Sequence, residues 1–317
     1  MTVDQATRST VDQATKLPVD LATSSTVVLG TRQRAAAARP PSAATARALA
    51  FVAEMLPRAT GLGAAVAEHV GNPAAFAGAL AAAFDRLADP LYRDEQARVA
   101  PGIGPVHGVR LPLLTALRKG FDRATRRDSP ATLLFVADHL LHARTMEPRW
   151  FAIAMLERTL RAEPERTWQL LRRAGREASD WITVDTLAHP MGRGILREPY
   201  RWAELEQLVI SPSRWERRLV GSTIATMPFV DHRAGREPEV AARALAILAT
   251  LIGDAEPDVQ KALAWAYRSM ALVDLAATTA ALESEARLAA RSNDGLRAWV
   301  IREALPKLAP DRAERLR

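Results

Sequence analysis

Apolar residues recur at three- and four-residue spacing along nearly the whole chain from about residue 43 onward. That period fits an amphipathic α-helix and not a half-buried strand, whose side chains alternate every second residue. ATARALAFVAEML (44–56) and NPAAFAGALAAAFDRLA (72–88) show it first. Further helices are expected near 112–124, 130–144, 148–162, 164–177, 180–188, 200–210, 213–227, 237–252, 256–270, 272–290 and 295–305. DSPAT (128–132) and DAEPD (254–258) read as helix starts, with a capping side chain and proline in the first turn. The Gly- and Pro-rich RVAPGIGPVHGVRLP (98–112) reads as a loop. No segment reads as a strand.

Short connections make consecutive helices antiparallel neighbours. Helix pairs recur at roughly 35–45 residues, near the ~40–47 of HEAT and armadillo repeats. The expected fold is an all-α, HEAT-like solenoid of about six helix pairs over 43–317, with a concave face. A compact multi-helix bundle is the competing architecture. The first 31 residues instead repeat with a period of eight (TVDQATRS, TVDQATKL, PVDLATSS). Their polarity and low complexity predict a disordered tail over 1–42, ending in the linker ARPPSA (38–43).

The net charge is +7 and arginine supplies most of it, since only Lys16, Lys119, Lys261 and Lys307 are lysines among 43 basic residues. A basic surface favours a polyanionic partner, and guanidinium suits bidentate phosphate contact. The chain has no cysteine, which excludes disulfides, thiolate metal sites and cysteine nucleophiles. No run approaches the roughly 18 apolar residues of a membrane span, and the N-terminus lacks a secretory layout, so a cytoplasmic location is expected. Asp138, His139 and His142 have no matching third ligand cluster, and GIGPVHG (102–108) precedes no strand–helix unit. Neither a metal nor a nucleotide cofactor is therefore expected.

Four motifs stand in order: GVRLPLLTALRK (108–119), WITVDTLA (181–188), SRWERRLVGS (213–222) and PDVQKALAWAYR (257–268). Together they resemble the DNA alkylation repair family, the AlkD-like helical-repeat DNA glycosylases, over about residues 45–305. The resemblance implies a catalytic carboxylate at Asp185, with aromatic partners at Trp181 and Trp265. It places the arginine of the W-x-x-R motif at Arg218. Arg217 and Arg214 beside it, and Lys261 and Arg268 beside Trp265, are the implied DNA-binding residues. Tyr267 and Ser269 stand where the family pattern has a leucine and an acidic residue. The implied partner is double-stranded DNA carrying alkylated bases, bound by a monomer without cofactor.

The chemistry fits these residue types. Alkylation at N7 or N3 gives a purine a positive charge and makes it a good leaving group. As the glycosidic bond breaks, the sugar acquires oxocarbenium-like charge, which a fixed carboxylate stabilises. Flat indoles attract the cation by about 0.5–2 kcal/mol each. The arginines of RATRRD (123–128), LLRRAGR (170–176) and RWERR (214–218) are candidates for phosphate contact. Trp150, Trp168, Trp202, Trp215 and Trp299 read as core. A non-catalytic DNA binder of the same fold, and a protein-binding scaffold, are the alternatives.

Overall fold

The computed structural model describes residues 42–99 and 102–305. The eight-residue repeat and most of the linker lie outside the described residues. Fourteen α-helices make up the described chain: α1 (Ala43–Ala67), α2 (Pro73–Leu87), α3 (Pro90–Val99), α4 (Leu111–Ala124), α5 (Pro130–Leu141), α6 (Met146–Thr159), α7 (Pro164–Glu177), α8 (Trp181–Arg197), α9 (Trp202–Gln207), α10 (Arg214–Val230), α11 (Pro238–Leu251), α12 (Pro257–Met270), α13 (Leu275–Ser292) and α14 (Gly295–Ala304). Among the described residues, extended pairing is limited to one isolated bridge between Ala88 and Val109.

Several helices start where short polar side chains satisfy the free N–H groups of a first turn, whereas α12, with Glu256 at its N-cap, lacks the side-chain cap bond expected for DAEPD. Asn72 accepts from the amides of Ala74 and Ala75, Ser129 from Ala131, Asp274 from Ala277 and Asp294 from Arg297. Proline occupies the first turn of α2, α5, α7, α11 and α12, where its missing donor costs nothing.

Packing follows a two-layer repeat. The helices α4, α6, α8, α10, α12 and α14 touch in succession and form one layer. In the other, α2 meets α5, α5 meets α7, and α11 meets α13. Four outer helices also pack on the inner helix that follows them, α5 on α6, α7 on α8, α11 on α12 and α13 on α14. The expected all-helical repeat architecture is thus present, and one apolar core runs from Ala59 to Leu305 between the layers. Trp168 and Trp202 are buried in it, and Trp150, Trp215 and Trp299 pack on its margin.

The first helix joins this stack through two glycines. A Cβ on Gly63 of α1 would lie 1.9 Å from the Leu117 carbonyl of α4, and one on Gly120 of α4 2.1 Å from the Thr60 carbonyl of α1. Only hydrogen at both positions lets the two backbones come into contact. Contrary to the sequence expectation, α1 is long enough, at a mean hydropathy of 1.2, to cross a bilayer by length and composition alone. Its Gly63 side is nevertheless docked on α4.

The helix α3 was not expected from the sequence, α5 and α6 end at Leu141 and Thr159, about three residues before their expected ends, and three other helices run past an interior proline. α1 continues through Pro57 to Ala67, α8 through Pro190 to Arg197, and α10 through Pro228 to Val230. An interior proline costs about 3 kcal/mol. In α8 the buried Leu187, Met191 and Ile195 keep their helical spacing across it, and tertiary packing outweighs the lost bond. The helix expected near 200–210 is broken into α9 flanked by 3-10 turns at Pro199–Arg201 and Leu208–Ile210.

Candidate active site on helices α8 and α10

The helix α8 begins at Asp180, whose carboxylate accepts from the Thr183 amide at 2.8 Å and the Thr183 hydroxyl at 2.7 Å. This cap fixes Trp181 as the first residue of the helix. Trp181 packs against a small cluster formed by Ile103 and Met146. Glu147 anchors the loop that carries Ile103. It is fully buried and accepts from the backbone amides of His107, Gly108 and Val109 at 3.0, 2.8 and 3.3 Å. Three backbone donors satisfy a charge that would otherwise be costly to bury.

Asp185 lies one turn beyond Trp181, on the same side of α8. Facing it on α10, Arg218 donates from Nε to Oδ1 at 3.0 Å and from Nη2 to Oδ2 at 2.7 Å. The Ser222 hydroxyl, one turn further along α10, donates to Oδ1 at 2.6 Å. The remaining terminal nitrogen of Arg218 donates to the Asp258 carbonyl at 2.6 Å, in the first turn of α12. A single guanidinium thus ties three successive helices of one layer.

The pair is graded in depth. The Arg218 side chain is 7% exposed and that of Asp185 20%. The cation is behind and the carboxylate in front, with three donors already on it and lone-pair capacity left on Oδ2. The Arg218 guanidinium also lies 5.9 Å from the Trp181 ring centroid, within cation–π range. The structure therefore brings Trp181, Asp185 and Arg218 together.

The other expected site residues divide. Trp265 is half-buried on α12 against the core. It stands seven residues after Asp258, about 10 Å further along that helix at about 1.5 Å per residue. Lys261 is exposed on the same helix. Arg214 is half-exposed, lies over the Trp215 ring at 4.7 Å and pairs with Glu256 at 3.5 Å. Arg217 is occupied within the fold: Asp254 receives its Nε at 2.6 Å, and the carbonyls of Ser211 and Pro212 receive its Nη1. Arg268 donates to the Glu303 carbonyl at 2.7 Å near the end of α14, and burial lowers its pKa. Tyr267 is fully buried with its hydroxyl unpartnered, and burial pushes the phenol up.

Two neighbours of Asp185 escape the sequence reading. Ser222 sits within the quoted SRWERRLVGS, and its i+4 spacing from Arg218 was the available signal. His189 follows Asp185 by one turn. It is mostly buried; burial holds its pKa below the usual histidine value, against the raising influence of Glu157 and Asp185. It is therefore neutral at pH 7.

An all-helical repeat protein with an arginine-backed carboxylate at a helix–helix seam is the class that this geometry defines. A family model described as DNA alkylation repair enzyme matches residues 80–308. That is most of the chain, and the chain belongs to that family of enzymes, with a role in the repair of alkylated DNA. The match begins inside α2, so α1, which docks on α4, precedes it. The comparison with curated proteins returns no match.

Proposed function

We propose that the protein is a DNA glycosylase that hydrolyses the N-glycosidic bond of N3- and N7-alkylated purines and leaves an abasic site. The observation that carries this reading is the Asp185 carboxylate. It is fixed by Arg218 and Ser222 in one orientation and open on its outer side, next to an indole. A carboxylate locked by three donors needs no reorganisation when positive charge develops in front of it, the condition under which electrostatic stabilisation is largest.

In this mechanism the bond between C1′ and the cationic base breaks and its electron pair leaves with the base, which becomes neutral. Positive charge passes to the sugar, facing Asp185. A water oxygen bonds to C1′ and loses its proton to the carboxylate or to solvent. Trp181 packs beside the sugar, and Trp265 completes the apolar wall from α12. Arg218 acts as a positioning residue. Its donors are committed to Asp185 and Asp258, which favours this role over gripping phosphate. The lesion's own lability supplies selectivity, and bulky adducts are tolerated if no tight base pocket encloses them.

The test is incubation with methylated duplex DNA and measurement of free 7-methylguanine and 3-methyladenine. Release by the wild-type protein is expected. Duplex binding without release would favour the non-catalytic DNA binder, and absence of both would favour a protein scaffold.

A further inference from the structure

Trp181, Asp185, His189, Arg193 and Arg197 follow one another at four-residue spacing along α8. Each step turns about 40° round the helix, so the row winds from the carboxylate toward a groove of about 560 Å³ between α4, α6 and α8. Arg118, Arg158, Arg161, Arg193 and Arg197 line it, against the carboxylates of Glu157 and Asp231. None of these five arginines lies in the arginine-rich runs that the sequence offers as phosphate contacts.

Some of this charge serves the fold. Arg158 donates to the Thr125 carbonyl and hydroxyl at 2.6 and 2.7 Å and to Asp122, and Arg193 pairs with Glu157 at 3.1 Å. Basic residues in a last helical turn also offset the helix dipole. Those roles do not account for the rest. The exposed Arg161 and Arg197 make no ion pair among the described residues. The Nε groups of Arg118 and Arg193 are buried without a hydrogen-bond partner. A groove with positive charge in excess and unspent donors fits a ligand bringing several anionic oxygens.

We propose that this groove grips the DNA backbone at a distance from the reacting sugar. The proposal rests on the glycosylase reading for its partner, duplex DNA. Arg193 and Arg197 stand eight and twelve residues beyond Asp185 on α8, about 12 and 18 Å along the axis at about 1.5 Å per residue. At about 3.4 Å per base step, that separation spans roughly four to five nucleotides. The groove holds phosphates that far from the lesion, fixing the register of the duplex while leaving base edges unread.

The test compares the full-length wild type with the double variant R161Q/R197Q, whose residues are exposed and unpaired. R287Q/R291Q, on the outer helix α13, serves as a charge-matched control. Affinity for an undamaged duplex is measured over a salt series. The groove variant is expected to flatten the slope of log affinity against log salt by about 1–2 units, with the control at the wild-type slope. Neutral methylphosphonate linkages placed three to six nucleotides from a lesion should weaken binding by the wild type but not by the groove variant. Equal slopes for groove variant and control, or equal sensitivity of wild type and groove variant to the neutral linkages, would overturn the proposal. If the slope flattens while the wild type releases no base, the groove stands and the glycosylase reading falls.

Discussion

Arg218 grips both carboxylate oxygens of Asp185, Nε on Oδ1 at 3.0 Å and Nη2 on Oδ2 at 2.7 Å. The planar fork sets the carboxylate plane as well as its position, which a point charge cannot do. Arg218→Lys should therefore keep the positive charge but lose orientation. Single-turnover base release is expected to fall at least about 10-fold, with duplex affinity nearly unchanged. An unaltered rate would show that the fork does not position the carboxylate. Arg218→Met should also destabilise the protein, by about 1–3 kcal/mol in chemical denaturation, because the Asp258 carbonyl and Asp185 both lose a donor.

The Ser222 hydroxyl, one turn beyond Arg218 on α10, holds the same Oδ1. Ser222→Ala removes one hydrogen bond to an ionised acceptor, a contribution of about 1.5–3 kcal/mol. Part of this is expected in the rate, as a drop of several-fold at unchanged duplex affinity. Thr at 222, which restores the hydroxyl, should recover activity. Failure of threonine to rescue would assign the loss to packing.

His189 supplies a pH dependence. Burial lowers its pKa below the usual 6.5 in the folded chain, so below that pH the unfolded chain binds a proton that the folded chain resists. Stability is fully present above about pH 6.5 and is lost as pH falls toward the folded value. The slope reaches at most about 1.4 kcal/mol per pH unit. The difference in Tm between wild type and His189→Gln should therefore shrink from pH 7 to pH 5. A constant difference over that range would contradict the assignment.

Gly120→Ala tests the α1–α4 junction. The new methyl group would meet the Thr60 carbonyl, and overpacking of this kind costs about 1–3 kcal/mol. A lower denaturation midpoint and faster proteolysis within α1 are expected. An unchanged midpoint would mean that α1 contributes little to the domain.

The helical repeat was legible because the three-to-four apolar period and the capping residues are local signals. Trp181 and Asp185, one turn apart, were legible for the same reason, and Arg218 through its motif. Proline is local too, but the packing that overrides it is not, so α1, α8 and α10 outlast their prolines. In α8 the apolar spacing across Pro190 was the missed clue. Charge was the least legible feature. Arg172 pairs with Glu204, Arg173 with Asp138 and Arg217 with Asp254, each more than thirty residues away. Conspicuous arginine runs are thus partly neutralised, while the groove gathers arginines from three separate helices. Ser222 and His189 carried no signal apart from helical spacing to a residue already singled out.

The measurement closest to the central claim is the single-turnover rate of 7-methylguanine release by Asp185→Asn beside the wild type, with duplex affinity measured in parallel. Asparagine keeps the shape and one acceptor for Arg218 but removes the negative charge. The account predicts a rate loss of about 100-fold or more with affinity retained. Equal release by the two proteins would contradict it.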